Sequence, residues 1–195
     1  MAMPLLGAAT GIAEDPEMNQ PPFDLVEREV RKKTFGVLGA VDLNGRPHTT
    51  GIIFSVSDPS DDLAFYVVTQ AKSAKVRYIK RNPNVSLLIT FPHYYLRFIP
   101  DSTVMFRGKA EIVPLNDERA QAAFAQKRMT RMNLQVDSDV LKDSVVIRMI
   151  PSKTVHVYGV GIGLNQMRKD PTSARYKVTI PPERLVENPP IKEEI

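Results

Sequence analysis

The sequence predicts a mainly β protein, built as a closed or nearly closed antiparallel barrel of six or seven strands with two or three short helices. Short runs of β-branched and aromatic residues recur along the chain between turn residues, whereas helical periodicity is confined to a few short segments. Neighbouring strands are joined by hairpins, which favours an antiparallel barrel over a doubly wound sheet. With 195 residues, 43% of them hydrophobic, the chain is long enough for one domain with a core.

Composition excludes several classes of function. The chain has no cysteine, which rules out disulfides, thiolate metal sites and cysteine nucleophiles, and its three histidines are too far apart in sequence to form a metal motif. The net charge of +4 permits nucleic-acid binding, but the excess is modest and we expect no nucleic-acid partner. No apolar run is long enough for a membrane span, and the N-terminus is a poor signal peptide, so we expect a cytoplasmic protein.

The first elements in chain order are an arm and a helix. Residues 1–22 contain four prolines and no apolar period, which indicates an N-terminal arm outside the core. Residues 23–33 have apolar side chains at helical spacing, with acidic residues early and basic residues late, as the helix dipole favours. We therefore place the start of the folded domain at Phe23.

Three strands come next. Residues 34–43 and 46–56 are rich in β-forming residues, and Asn44-Gly45 between them is a strong hairpin signal. A turn rich in aspartate then leads into a third strand over residues 63–69.

A short helix separates this strand from the next. Ser73 is a plausible N-cap for a helix over residues 74–81, which carries Val76 and Ile79 on one side and ends at Asn82-Pro83. A strand over residues 85–91 follows. Strand, short helix and strand together form the part of the chain around which the rest is arranged.

The remaining elements are less regular. Residues 92–100 form a predicted loop, residues 102–113 a strand with a bulge at Gly108, and Asn116 caps a helix that runs to about residue 132. Two further strands, 144–150 and 153–158, are broken by Pro151-Ser152. We interpret residues 23–158 as the barrel domain and 159–195 as an extended C-terminal tail.

The turn before the short helix is a predicted phosphate site. Residues 63–100 contain six Lys or Arg and no Asp or Glu, and three of these cations, Lys72, Lys75 and Arg77, crowd the helix N-terminus, where anions are favoured. A strand that leads through a polar loop to a helix with free backbone N–H groups can hold a phosphate. The alternative is that these charges form an ordinary solvated face.

Four ordered segments resemble the pyridoxamine 5'-phosphate oxidase-like split β-barrel family: FGVLGAVDLNGRPHTTGIIF, FYVVTQAKSAKVRYIKRNPNVSLLI, VMFRGKAEIV and KTVHVYG. The resemblance covers roughly residues 35–158. It implies a Greek-key split barrel and a homodimer that holds FMN, or in one branch the deazaflavin coenzyme F-420, in clefts between the two barrels.

The resemblance also implies roles for particular residues. Lys75 matches the family lysine on the cofactor phosphate. Three neighbours match the loop that cradles this phosphate: Lys72, Ser73 and Ala74. Positions expected along the ring system are Arg46, His48, Thr50, Val67, Val68 and Thr69.

The resemblance implies a flavin- or deazaflavin-dependent oxidoreductase that transfers hydride to or from a small organic substrate. Oxidation of pyridoxamine phosphate itself is disfavoured, because the chain has no tryptophan and has Ala74-Lys75 where the oxidases have an Arg-Lys pair. FMN and F-420 both stay open. Three aromatic residues, Tyr94, Tyr95 and Phe98, suggest a planar substrate.

Two other functions stay open from the sequence. One is a basic module that binds nucleic acid or protein without catalysis. The other is a haem-handling split barrel, in which His48 or His156 would ligate the iron.

Overall fold

One antiparallel sheet of eight strands forms the framework of the protein. The computed structural model describes residues 21–93, 100–127 and 142–186. In chain order the strands are β1 (Phe35–Val41), β2 (Pro47–Ile53), β3 (Ser55–Val56), β4 (Phe65–Gln70), β5 (Asn84–Phe91), β6 (Ser102–Pro114), β7 (Ser144–Tyr158) and β8 (Arg175–Thr179). Their order across the sheet is β2-β1-β5-β6-β7-β4-β3, and β8 pairs with β7.

The two edge strands of this sheet, β2 and β3, are consecutive in the chain, so the sheet must curl into a barrel. β2 pairs with β1 at one end of the path, β3 pairs with β4 at the other, and only Phe54 separates β2 from β3. β7 is long enough to pair with β4 through its first half and with β8 through its second. These pairings confirm the predicted antiparallel split barrel, with one strand more than expected.

The barrel interior is filled by alternate residues of the strands. In β5 the side chains of Val85, Leu87 and Ile89 are buried while their neighbours are not, which is the period of two expected for a sheet with one covered face. Phe65 lies at the centre, with its ring 5.7 Å from that of Phe54 and 4.7 Å from that of Phe106. Such aromatic pairs add to the stabilisation that burial of their area provides.

The described residues contain four α-helices: α1 (Phe23–Arg31), α2 (Ala74–Arg81), α3 (Glu118–Ala125) and α4 (Leu164–Lys169). α1 and α2 begin and end close to their predicted limits. The predicted cap of α3 is wrong by one residue, since the Asp117 carboxylate, not Asn116, accepts a 2.9 Å hydrogen bond from the N–H of Ala120. Residues 128–132 of the predicted helix lie outside the described residues. Among those described, no helix is both long and apolar enough to cross a bilayer.

Pro151-Ser152 does not break the last predicted strand pair into two, as we expected; β7 is continuous. Proline is tolerated in a strand at a bulge, where it need not donate to the ladder. The register between β6 and β7 shifts between Phe106 and Gly108, and Gly108 lies opposite Pro151. A Cβ on Gly108 would lie 2.1 Å from the Ile150 carbonyl oxygen, so the predicted bulge at Gly108 is confirmed and requires glycine.

The segment after Tyr158 differs from the extended tail that we predicted. It forms α4, β8 and a short 3-10 turn at Pro182–Arg184, and three of its side chains, Tyr176, Val178 and Ile180, are buried in the main core. The Tyr176 hydroxyl donates a 2.5 Å hydrogen bond to the carbonyl oxygen of Val160. Residues 159–186 are therefore part of the barrel's packing.

A network of charged groups ties the end of this segment to α1. The Glu27 carboxylate accepts hydrogen bonds from Arg31 at 2.6 Å and from Arg184 at 2.7 Å, and all three side chains are at least four-fifths buried. Arg184 also donates to backbone carbonyls of the turn before β4, those of Asp58, Pro59 and Asp61. One carboxylate thus balances two desolvated guanidinium groups and fixes the end of the chain against the barrel.

Candidate functional site

The predicted phosphate site lies where β4 turns into α2. The Lys75 ammonium, in the first turn of α2, donates a 3.0 Å hydrogen bond to the Thr69 hydroxyl at the end of β4. That hydroxyl is 3.4 Å from the Ser73 hydroxyl. All three side chains are half-buried. The structure therefore brings together the Lys75 cation and the Ser73 hydroxyl, both expected at the phosphate, with the hydroxyl of Thr69, which was expected along the ring system.

Burial without a counterion sets the electrostatics of Lys75. Among the described residues, no carboxylate lies within ion-pair distance of its ammonium. Desolvation lowers the pKa of Lys75 from its ordinary value of 10.5, because burial disfavours the charged form. A bound anion would reverse this effect by favouring the ammonium. The lysine is thus in an environment that an anionic ligand would improve.

The N-terminus of α2 also has free donors. Ser73 occupies the N-cap position, as predicted, but its side chain makes no capping hydrogen bond. The first N–H groups of a helix have no acceptor within the helix, and they carry the positive end of its dipole. Since the Ser73 hydroxyl is directed to Thr69 instead, these N–H groups stay available to a ligand that sits beside Lys75.

Three residues expected to border the cofactor ring come from the first hairpin, and two of them lie on one side of β2. His48 and Thr50 lie on the same side of β2 as the buried Ile52, and both are half-buried. The His48 ring makes an edge contact with Tyr78 of α2, with 5.2 Å between ring centroids. Arg46, in the exposed hairpin, is not joined to this group by any described side-chain contact. The helix that carries Lys75 therefore also orients His48.

Tyr78 is a further candidate residue for this site, and the sequence reasoning did not select it. It lies one turn after Lys75 on α2, and the Arg77 guanidinium lies 5.8 Å from its ring centroid. The sequence contained a signal for Tyr78, because Lys75 and Tyr78 are three residues apart and residues at that spacing share a helix face. The hairpin-to-helix contact that gives Tyr78 its importance is between segments far apart in sequence.

Four further predicted residues have differing environments. Lys72 is exposed, and Ala74 is half-buried at the start of α2. Val67 is buried in the barrel core with 3% of its surface exposed, so a cofactor could contact only its backbone. Val68 faces the opposite side of β4 and packs against the smaller cluster around Tyr66 and Phe124.

In the described part of the chain the three histidines lie apart from one another. Within the described chain there is no group of three His, Cys, Asp or Glu side chains placed to hold a metal ion. The His93 Nε2 is 3.0 Å from the Ser102 hydroxyl, and His48 and His156 line separate cavities. The proposed aromatic wall of Tyr94, Tyr95 and Phe98 lies outside the described residues.

A comparison with protein families identifies the family of this chain. The model of the family described as pyridoxamine 5'-phosphate oxidase matches residues 24–158. This range contains β1 to β7 and every candidate residue of the cofactor site. A comparison with curated proteins finds no match.

Three solved structures share the fold at low sequence identity. A haem-binding protein from Mycobacterium smegmatis is 16% identical with a TM-score of 0.57; the match covers 75% of this chain and 53% of the other, so this chain spans about half of that protein. The haem storage protein HutZ from Vibrio cholerae is 20% identical, with a TM-score of 0.53 and coverage of 72% and 97%. A protein from Clostridium acetobutylicum related to general stress protein 26, of the pyridoxinephosphate oxidase family, is 15% identical, with a TM-score of 0.53 and coverage of 85% and 96%.

Proposed function

The chain belongs to the pyridoxamine 5'-phosphate oxidase family, and on that premise we propose that it is a flavin- or deazaflavin-dependent oxidoreductase with Lys75 on the cofactor phosphate. The observation that supports this proposal is the half-buried Lys75 ammonium, which has a hydroxyl partner and no described carboxylate partner. A desolvated cation beside a helix N-terminus favours a phosphate more than a neutral ligand.

Each residue of the site has a role in this proposal. Lys75 supplies the charge, the N–H groups at the start of α2 supply directed donors, and the hydroxyls of Thr69 and Ser73 add two more. When bound, FMN or F-420 supplies hydride transfer, so the protein needs no nucleophile or metal for that step. His48, held by Tyr78, and Thr50 would border the ring system. The substrate class that we propose is a small planar organic molecule.

We further propose a homodimer, with the cofactor in a cleft between the two barrels. Large apolar side chains are exposed on the outside of the sheet: Phe35 is 58% and Ile53 44% exposed, and the two are cross-strand partners in β1 and β2. Exposed apolar neighbours of this kind are typical of surfaces that another chain covers. Strand β6, on the same sheet, would contribute to the same interface.

The test is a spectroscopic titration of the purified protein with FMN and, separately, with F-420. We expect saturable binding of one of them at tens of micromolar or below, seen as a change in flavin or deazaflavin fluorescence. The reduced cofactor should then be reoxidised by a member of a panel of quinones, enones and tetrapyrroles. If neither cofactor binds, the oxidoreductase proposal fails and the basic binding module replaces it.

Haem handling is the alternative that the same titration must address. Two proteins of similar fold are named for haem, although identities of 16% and 20% show the fold alone. Addition of haem to the same protein should give no Soret band of a histidine-ligated iron. Such a band, lost in His156→Ala or His48→Ala, would favour haem over the flavin proposal.

A further inference from the structure

The contact between His48 and Tyr78 joins two parts of the site that are far apart in sequence. His48 lies on β2 and Tyr78 on α2. The planes of the two rings stand at 76° to each other, with 5.2 Å between the ring centroids. This is the edge-to-face geometry that aromatic pairs prefer. The contact therefore holds a ring from the first hairpin at a defined angle against the helix that carries Lys75.

Two buried side chains fix α2 against the barrel. Val76 is 1% and Ile79 2% exposed, and both belong to the main core. Because these two anchors prevent the helix from turning about its axis, the positions of Lys75 and Tyr78 are set together. The two residues are three apart and are neighbours on one side of the helix. A displacement of α2 by a ligand at Lys75 would therefore reach Tyr78 as well.

The ring of Tyr78, and not its hydroxyl, makes the contacts. Tyr78 is half-buried and packs against the main core. Within the described residues its hydroxyl forms no hydrogen bond, whereas its ring contacts the His48 ring and lies 5.8 Å from the Arg77 guanidinium carbon. An aliphatic side chain would serve core packing equally well, but it could not hold an imidazole in an edge-to-face contact.

The His48 ring has few other restraints. It is half-buried, and in the described part of the chain neither of its ring nitrogens has a hydrogen-bond partner. A side chain without such partners turns between rotamers unless packing restrains it. Tyr78 supplies that restraint and leaves both ring nitrogens available to a ligand, as donor or acceptor.

We propose that Tyr78 is a positioning residue of the cofactor site: it holds His48 so that the imidazole can hydrogen-bond the ring system of the cofactor whose phosphate binds at Lys75. This inference rests on the proposed function and deepens it, because it names the residue that links the two ends of the site. One helix then responds to both parts of the cofactor, with the phosphate at its first turn and the ring system through His48. If Tyr78 only closed the end of the core, no such link would exist.

The first measurement uses inorganic phosphate as the probe and follows the protein by NMR at constant pH. In the wild type we expect phosphate to shift the backbone amide signals of Ser73 and Ala74, and with them the His48 ring signals. In Tyr78→Leu the amide signals should still shift, whereas the response of His48 should be lost. Tyr78→Phe keeps the ring and should behave as the wild type does, and Lys75→Met should abolish every shift.

The second measurement is a titration with FMN or F-420, whichever binds the wild type. His48→Ala and Tyr78→Leu should each weaken binding by about 2- to 12-fold, which corresponds to one aromatic contact. The double variant should bind no more weakly than either single variant, since Tyr78 acts through His48. Both changes should shift the absorption maximum of the bound cofactor in the same direction. Leu185→Ala, a partly buried residue packed on the same core, is the control and should leave binding and spectrum unchanged.

Three results would overturn the proposal. If phosphate shifts the Ser73 and Ala74 signals of the wild type but not those of His48, the phosphate site stands and the link does not. This result needs no variant, so it decides the matter even if Tyr78→Leu fails to fold. Additive losses in the double variant would show that Tyr78 and His48 act separately. If the Ser73 and Ala74 signals do not respond to phosphate at all, the phosphate assignment itself fails, and this inference fails with it.

Discussion

Replacement of Lys75 by methionine should separate its role in binding from any role in folding. Methionine keeps most of the volume of the lysine stem but cannot carry charge. In the free protein, the change removes one 3.0 Å hydrogen bond to the Thr69 hydroxyl, which contributes about 1 kcal/mol. It also removes a desolvated ammonium, which acts in the opposite direction. We therefore expect the free energy of unfolding to change by no more than about 1 kcal/mol.

Cofactor binding should respond much more strongly. A charge-assisted hydrogen bond to a phosphate contributes about 1.5 to 3 kcal/mol, so the affinity of Lys75→Met for FMN or F-420 should fall by roughly 10- to 150-fold. Lys80→Met, on the exposed side of the same helix, is the matched control and should bind as the wild type does. The assay is a fluorescence titration at one fixed ionic strength, paired with urea unfolding of each cofactor-free variant.

Three results would refute this reasoning. Wild-type affinity in Lys75→Met would remove the phosphate assignment. A loss of more than about 2 kcal/mol of stability in the cofactor-free variant would show that Lys75 is mainly a structural residue. If Lys80→Met loses as much cofactor affinity as Lys75→Met does, the lysines attract the cofactor by general electrostatics and not by a specific contact.

Four further outcomes are expected. Cofactor affinity should decline as pH rises through the lowered pKa of Lys75, so the loss begins below pH 10.5 and is absent from Lys75→Met. Glu27→Gln should destabilise the protein by about 3 kcal/mol, because it leaves the buried guanidinium groups of Arg31 and Arg184 without their counterion. Gly108→Ala should cost about 3 kcal/mol, since the new Cβ would collide with a backbone oxygen of β7. Light scattering should give about 44 kDa, twice the chain mass of 21.9 kDa.

Each of these outcomes has a control or a contrary result. Glu29→Gln removes a partly exposed ion pair with Lys32 and should change stability by less than about 1 kcal/mol. Gly163→Ala adds a Cβ with no atom within 4 Å and should be close to neutral. A monomeric mass with cofactor still bound would contradict the shared cleft, and an affinity independent of pH up to 10.5 would contradict the role of Lys75.

Much of the fold could be predicted because its signals are local. β-Branched runs, the Asn44-Gly45 hairpin, and the helix that ends at Asn82-Pro83 each depend on residues close in sequence, and the structure has the corresponding elements. The same holds for the position of Lys75 beside Ser73 at a helix start. Family resemblance then supplied the expectation of a cofactor, which neither periodicity nor charge could provide.

Two features could not be predicted because they depend on which distant segments pack together. Pro151-Ser152 has the residue types that usually interrupt a strand. The bulge at Gly108 of β6 lies opposite Pro151, however, and at a bulge proline is tolerated, so β7 stays continuous. The segment after Tyr158 has the residue types of an extended tail. Its side chains, Tyr176 among them, are buried in the core because β8 pairs with the second half of the long strand β7, and this pairing is not visible in the sequence.

The amino-acid sequence by itself determined the class of fold, the order of the elements and the presence of a cation at the start of α2. These features follow from propensity, periodicity and charge, which depend on residues that are close together in the sequence. Only the tertiary structure decided that Lys75 is desolvated beside Thr69, that His48 meets Tyr78, and that Gly108 lies opposite Pro151. The physical reason is that desolvation and cross-strand register arise from chain segments brought together by folding, and a residue's charge or aromaticity acquires its chemistry from those neighbours.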